Sequence, residues 1–165
     1  MRKRIFIFST VNDRNMAHAL AQVYIHIIFH VKNTGVLIRN EDKIPLYQKM
    51  ERILLERKCI PLKINGIDNH VHILCSLART ITVADVVQNV KKYSSAWLKV
   101  RHPYYESFAW QTGYSCFSVS YSNLSSVEQY IVRQEQHHEV YSYSEELVRF
   151  YHACGVLCND DSFDE

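Results

Sequence analysis

The sequence has no apolar run long enough to cross a membrane, and the apolar residues 5–8 are far fewer than the about 7–15 residues of a secretory signal core. It has no repeats, low-complexity segments or interdomain linkers, so 165 residues predict one domain. It also has no strong charge excess: a net charge of +2 allows nucleic-acid contact without indicating it. Five cysteines without a secretory signal predict reduced thiols in a cytoplasmic protein.

Periodicity and turn signals predict the order strand, helix, strand, strand, helix, strand, helix, helix. Residues 22–32 are apolar and largely β-branched, which predicts a strand buried on both faces. Asn65 and Gly66 predict the hairpin turn between the second and third strands. Thr82 with Asp85 predicts a capping box that opens the second helix. The order is typical of an α+β fold, a ferredoxin-like or RRM-like antiparallel sheet with helices packed against it.

The other helices are predicted from apolar spacing and caps. Residues 45–58 carry apolar side chains at helical spacing, with a proline placed in the first turn. Ser125 and Glu128 predict a second capping box, which opens a helix over residues 126–138. A last amphipathic helix is predicted from Ser144.

The stretch "IDNHVHILC" places two histidines on either side of one valine. In a strand, side chains alternate between faces, so His70 and His72 are predicted on one face with Cα atoms roughly 6.5 Å apart. Two imidazoles in that arrangement can share one metal ion; the alternative is two histidines on a solvent-facing strand surface. His26 and His30 also share a strand face and either approach the metal or pack, and we interpret them as packing residues.

A metal site with two histidines needs a third ligand. Tyr130 and Gln134 are four residues apart, which predicts one helical face for both. Gln134 offers a carbonyl oxygen to a metal, and Tyr130 offers a phenol that can attack a phosphate. The alternative is that Tyr130 is a core aromatic and Gln134 faces solvent.

The second helix carries a group of basic residues. Lys91, Lys92, Lys99 and Arg101 lie on this helix or just after it and can contact phosphates, with Tyr93 and Trp97 nearby for stacking. A solvated basic face explains the same residues.

Five segments in order resemble one known family: "YIHIIFHVKN", "NHVHILCSL", "VKKYSSAW", "FAWQTGYSCFSVSYS" and "VEQYIVRQEQHH". Together they resemble the single-tyrosine HUH transposases, the IS-two-hundred-like insertion-sequence enzymes and their REP-associated and domesticated relatives. The resemblance covers Ala19 to about Gly155. It implies a transposase domain over residues 19–157, with an extension over 1–18 and an acidic tail over 158–165. It also implies a bacterial, nucleoid-associated protein.

The resemblance implies a metal-assisted transesterification on single-stranded DNA. His70, His72 and Gln134 would hold Mg²⁺ or Mn²⁺, and Tyr130 would form a 5′-phosphotyrosine, with no nucleotide cofactor. Asn69 stands where relatives often have an aspartate; it is expected to point to the opposite face, so that the difference matters little. Ligand chemistry alone leaves the metal open, because imidazoles and an amide also suit zinc or nickel.

The partners implied by the resemblance are single-stranded DNA adjoining a hairpin and a second copy of the chain. The homodimer is expected to have composite sites, in which the Tyr130 helix of one subunit docks on the His70 and His72 strand of the other. Two other functions fit the element order: a non-catalytic, RRM-like single-strand binding module, and a metal-dependent hydrolase that activates water. In the hydrolase, Tyr130 would be dispensable.

Overall fold

A computed structural model describes residues 20–32 and 35–134 of the chain. The predicted extension 1–18, the helix from Ser144 and the tail 158–165 lie outside these residues. No helix in the described part is both long and apolar enough to cross a membrane. The elements are β1 (Tyr24–His30), α1 (Asn40–Glu56), β2 (Ile60–Gly66), β3 (His70–Ser76), α2 (Val83–Arg101), β4 (Ser115–Val119) and α3 (Leu124–Val132), with 3-10 turns at Pro103–Tyr105 and Tyr121–Asn123.

The four strands form one antiparallel sheet in the order β2-β3-β1-β4. β1 lies inside the sheet between β3 and β4, and all seven of its residues are buried, as its continuous apolar composition predicts. The predicted α+β, ferredoxin-like architecture is confirmed.

The two faces of the sheet have different partners. On one face, alternate side chains of β1 and β3 join the main hydrophobic core with residues of α1 and α2; they are Ile25, Ile27, Phe29, Val71, Ile73 and Cys75. The other face carries the remaining side chains of β1 and β3, among them every histidine of these two strands. The helix layer and the histidines are therefore separated by the sheet.

The first residues of α1 and α2 test the helix starts predicted from local sequence signals. The Thr82 side chain accepts a hydrogen bond from the Asp85 backbone N–H at 3.1 Å, so the predicted cap of α2 is confirmed. α1 begins at Asn40 rather than at Pro45, which places the proline in the second turn. The reason is tertiary, because buried Asp42 in the first turn accepts hydrogen bonds from Arg101 and Tyr105.

The β2–β3 hairpin forms as predicted, but its turn is elsewhere. Asn65 and Gly66 belong to β2, and Gly66 pairs with Val71, so the turn covers residues 67–69. A Cβ on Gly66 would lie 2.2 Å from the His70 carbonyl oxygen. Glycine is thus required here by a close backbone approach within the ladder and not by a turn.

Candidate active site on the histidine face

Four histidines lie together on the sheet face opposite the helix layer. The β1–β3 register places His30 opposite His70 and Ile28 opposite His72, and the rings of His70 and His72 have centroids 5.0 Å apart. His30 stacks on His70 and His26 stacks on His72, each pair with centroids 5.1 Å apart. All four residues are buried. The two-residue spacing of His70 and His72 therefore places both rings on one face of the sheet, as predicted.

The ring of His72 is oriented by a neighbour in β1. His26 Nε2 and His72 Nδ1 are 3.0 Å apart and form a hydrogen bond. Burial lowers the pKa of His26 to about 3, so His26 is neutral, and either ring can donate in this hydrogen bond. A metal on His72 Nε2 would require the proton on His72 Nδ1, and His26 Nε2 would then accept it. His26 packs, as interpreted from the sequence, and it also contacts a candidate ligand.

Asn69 orients His70 in the same way. Its Oδ1 lies 2.7 Å from His70 Nδ1, so it accepts the ring proton and directs His70 Nε2 toward Gln134. The expectation that Asn69 points away is wrong. Asn69 lies in the hairpin turn, where the alternation of strand side chains does not apply. The strand pattern therefore could not reveal this contact.

Tyr130 lies on α3 above the histidine cluster. It is half-buried, and its ring centroid is 5.8 Å from that of His72 and 6.3 Å from that of His26. It lies outside the main core, and Gln134 is fully buried rather than facing solvent. The alternatives considered from the sequence, a core position for Tyr130 and a solvent-facing position for Gln134, are therefore both wrong.

α3 ends at Val132 and Arg133 lies in a turn, whereas Gln134 is again helical, so the predicted continuous helix over 126–138 is interrupted at Arg133; residues 135–138 lie outside the described part. Asn65 Nδ2 donates to the carbonyl oxygens of Ile131 at 2.8 Å and Val132 at 3.3 Å, at the end of α3. The start also differs: α3 begins at Leu124 directly after a 3-10 turn, without the predicted side-chain cap.

One pair of donor atoms in this cluster has the separation that a small divalent metal would bridge. His70 Nε2 and Gln134 Oε1 are 3.4 Å apart. Two donors about 2.1 Å from one ion are separated by about 3.0 Å at a right angle and about 3.4 Å at a tetrahedral angle. In residues 20–32 and 35–134, no three or more His, Cys, Asp or Glu side chains are arranged to hold a metal. A third ligand would therefore be the amide oxygen of Gln134.

Comparison with known proteins assigns the family. The sequence profile described as "Transposase IS200 like" matches residues 19–134, which is most of the chain. The chain is a member of this transposase family. A solved transposase candidate from Deinococcus radiodurans R1 is 18% identical, with a TM-score of 0.54 over 72% of this chain and 95% of its own. A REP-associated tyrosine transposase bound to a REP hairpin is 12% identical, with a TM-score of 0.57 over 90% of each chain. No curated protein matches in sequence.

Two of the predicted DNA-contact residues of this transposase-family chain make internal contacts. Lys91 Nζ donates to the carbonyl oxygens of Gln111 at 3.0 Å and Gly113, and burial lowers its pKa to about 8. Arg101 pairs with the buried carboxylate of Asp42, and its guanidinium lies 5.0 Å from the centroid of the Trp97 ring. The ammonium group of Lys91 thus binds the loop over residues 111–113, and the guanidinium group of Arg101 links α2 to α1.

Lys92, Tyr93 and Lys99 are exposed and, unlike Arg101, which is also exposed, do not pair with a buried acidic group in the described part of the chain. Lys92 Nζ lies 5.5 Å from the centroid of the Tyr93 ring, and Trp97 is half-buried against the main core. All six predicted residues are on α2, on the side of the sheet opposite Tyr130. The structure therefore brings the candidate metal ligands together with Tyr130 but not with the predicted DNA contacts.

Asp42 gives a stability prediction that can be measured against pH. Burial opposes its ionisation, but hydrogen bonds from Arg101 and Tyr105 outweigh burial and hold the pKa of Asp42 below its ordinary value. Asp42→Asn should lower the free energy of unfolding by about 2 kcal/mol at neutral pH, because it removes a charge-assisted pair with a half-exposed arginine.

A depressed carboxyl pKa stabilises the fold at pH values above the unfolded-state pKa, about 3.9, and this contribution is lost as pH falls through the folded-state value. The difference between wild type and Asp42→Asn should therefore shrink below about pH 4 in urea titrations. Glu41→Gln is the matched control, because Glu41 pairs with Arg39 at the exposed surface and should contribute at most about 0.5 kcal/mol. Equal losses in the two variants would contradict the prediction.

Proposed function

We propose that this chain cuts and rejoins single-stranded DNA next to hairpins, through a 5′-phosphotyrosine on Tyr130. The observation that carries the proposal is the position of the Tyr130 ring over His72, on the face where His70 Nε2 meets the amide oxygen of Gln134. A nucleophilic side chain beside a candidate phosphate-activating centre is the arrangement that this chemistry needs. Membership of the transposase family supports the same reaction class.

In each step of the proposed reaction, one phosphorus–oxygen bond forms as another breaks. The Tyr130 oxygen releases its proton to water and attacks the scissile phosphorus; the Oη–P bond forms, the P–O3′ bond breaks, and the departing O3′ takes up a proton from water to give a free 3′-hydroxyl. A second 3′-hydroxyl then attacks the phosphotyrosine and restores the tyrosine. One phosphodiester is exchanged for another, so no ATP is consumed. Mg²⁺ or Mn²⁺ held by His70, His72 and Gln134 would supply charge stabilisation at a non-bridging phosphate oxygen.

The chain's own residues prepare this centre. Asn69 accepts the Nδ1 proton of His70, and His26 Nε2 would accept that of His72, so that each candidate ligand would present Nε2. Both ligand residues are buried, at 1% exposure for His72 and 0% for His70.

The test uses a hairpin substrate labelled at either end and incubated with the protein and Mn²⁺. A 5′-phosphotyrosine transfers the 3′-labelled fragment to the protein on a denaturing gel and releases the 5′-labelled fragment with a free hydroxyl. Cleavage that leaves a free 5′-phosphate and no adduct would indicate the water-activating hydrolase. Binding without cleavage would indicate the non-catalytic, RRM-like module.

The proposed ligand is single-stranded DNA that adjoins a folded hairpin. One structural neighbour is a tyrosine transposase bound to a REP hairpin, and the likeness of fold supports a hairpin ligand for this chain. Affinity should fall as salt increases, because lysine contacts to phosphate release counterions. Equal or tighter binding to plain duplex would contradict the proposal.

We also propose a homodimer, since strand exchange between two DNA ends needs two tyrosines. Within the chain, Asn65 binds the carbonyl of Ile131 and His70 meets Gln134, which supports a site built within one subunit rather than the composite arrangement expected from the sequence. The turn Tyr121–Asn123 leads from β4 directly into α3, which is why the helix reaches its own sheet. We therefore propose that each site of the dimer is assembled within one subunit.

Mixing two inactive variants tests this arrangement. A Tyr130→Phe chain mixed with a His70→Ala, His72→Ala chain should give no recovery of cleavage, because neither subunit then has a complete site. Recovery of part of the wild-type activity would show that the Tyr130 helix is exchanged between subunits. Light scattering on wild type provides the dimer control, and a monomer at working concentration would contradict the homodimer.

A further inference from the structure

A groove of about 430 Å³ lies between α2 and the segment over residues 108–114. Among the described residues, its lining contains three lysines, several aromatic side chains and no aspartate or glutamate. The polar side chains of Gln88, Ser95 and Thr112 complete it. A basic groove with aromatic walls and no acidic residue fits an extended anion that also has flat apolar parts.

The positive charge is presented by one row of α2. Lys92, Ser95 and Lys99 follow one another at helical spacing along the groove, and the two lysines are about 10 Å apart along the axis. Both lysines are exposed. Lys91 plays another part, because it binds the carbonyls of Gln111 and Gly113 and holds the opposite wall in place. Lys92 and Lys99 can thus bind two phosphates along one strand.

The opposite wall offers a stacking surface. Tyr114 is 40% exposed, and its ring centroid lies 5.8 Å from Lys91 Nζ. Phe108 and Trp110 lie deeper in the same wall and are buried. An exposed aromatic ring facing a row of lysines is the combination by which proteins bind unpaired nucleotides, with bases on the ring and phosphates on the ammonium groups.

The groove is on the helix side of the sheet but at the same end as part of the histidine cluster. The backbone N–H of Gln111 donates to the His30 carbonyl at 2.9 Å, and its carbonyl accepts from Lys91. One residue therefore connects the groove wall to the end of β1 where His30 stacks on His70. A strand that leaves the histidine face at this end can continue into the groove.

We propose that this groove is a second single-stranded DNA site, which holds unpaired nucleotides of the strand that Tyr130 cleaves. Phosphates bind Lys92 and Lys99, and a base stacks on Tyr114. The choice of DNA rests on the proposed function, whereas the site itself rests on the composition and position of the groove. In this arrangement, the DNA strand contacts both the histidine face and the helix face of the sheet.

The test measures the affinity of an oligothymidine of about 20 nucleotides, longer than the usual single-strand site, in a Tyr130→Phe background that prevents cleavage. Lys92→Ala with Lys99→Ala should weaken binding roughly 25-fold at about 0.1 M salt and make the slope of log affinity against log salt shallower by about 1.4. Lys49→Ala with Arg52→Ala on α1 removes the same charge away from the groove and should leave both quantities unchanged.

Substitutions at Tyr114 test the contribution of base stacking separately from that of the lysine charges. Tyr114→Ala should weaken binding roughly fivefold or more, whereas Tyr114→Phe should bind like the parent because the ring is kept. Losses in the α1 control equal to those in the groove variant would overturn the proposal, as would equal affinity of Tyr114→Ala and Tyr114→Phe. So would equal losses on duplex DNA, which would mark a general phosphate surface.

Failure of the groove and failure of the proposed function can be distinguished. If wild type forms the covalent adduct while the groove variants bind like their control, the groove proposal alone is wrong. If wild type forms no adduct while the groove variants lose affinity for single strands, the groove stands and the proposed reaction is wrong.

Discussion

Tyr130→Phe should abolish the covalent protein–DNA adduct while leaving affinity for single-stranded DNA unchanged. The substitution removes one oxygen and keeps the ring, whose centroid lies 5.8 Å from that of His72 and 6.3 Å from that of His26. Loss of a nucleophile lowers turnover by at least about a thousandfold in enzymes that form covalent intermediates. Adduct yield on denaturing gels and binding by fluorescence anisotropy measure the two quantities separately.

Tyr121→Phe is the matched control for this substitution. Tyr121 is 73% exposed on the 3-10 turn before α3, so loss of its hydroxyl should change neither adduct yield nor binding. An adduct that persists in Tyr130→Phe would place the nucleophile on another residue. Unchanged cleavage without an adduct in that variant would favour the hydrolase that uses activated water.

His70→Ala with His72→Ala should eliminate the dependence of cleavage on a divalent metal, with activity lowered by at least about a thousandfold. The two rings supply two of the three candidate ligands, and Gln134 alone cannot bind an ion tightly. Mn²⁺ at about 100 times its dissociation constant should stabilise the wild type against unfolding by about 2.7 kcal/mol and the variant by none. This second measurement does not depend on activity.

Two further variants control for damage to the buried cluster. His102→Gln removes a histidine that caps the turn Pro103–Tyr105, away from the site, and should keep the stabilisation by Mn²⁺. Gln134→Leu keeps His70 and His72 but removes the amide oxygen, and should lose most of that stabilisation. Wild-type stabilisation of the double histidine variant by Mn²⁺ would place the metal elsewhere and contradict the proposed ligand set.

The parts of the fold and of the site that the sequence predicts are those decided by neighbours along the chain. Side chains two apart in a strand share a face, so the spacing of His70 and His72 was sufficient to place both rings together. The cap at Thr82 is a contact over three residues. The apolar composition of β1 indicates burial on both faces wherever its partners lie. The antiparallel architecture follows from the order of such elements.

The tertiary structure decided everything that depends on residues distant in the chain. Asn65 donates to two carbonyls at the end of α3 that are 66 and 67 residues away, so helical periodicity around Tyr130 could not show this contact or the interruption at Arg133. In the sequence, Lys91 and Arg101 resemble solvent-exposed cations. In the structure, the ammonium group of Lys91 donates to a loop carbonyl, and the guanidinium group of Arg101 pairs with the buried carboxylate of Asp42. Residue type and spacing define which groups can react or bind; which of them do depends on desolvation and on hydrogen bonds that exist only after the chain has folded.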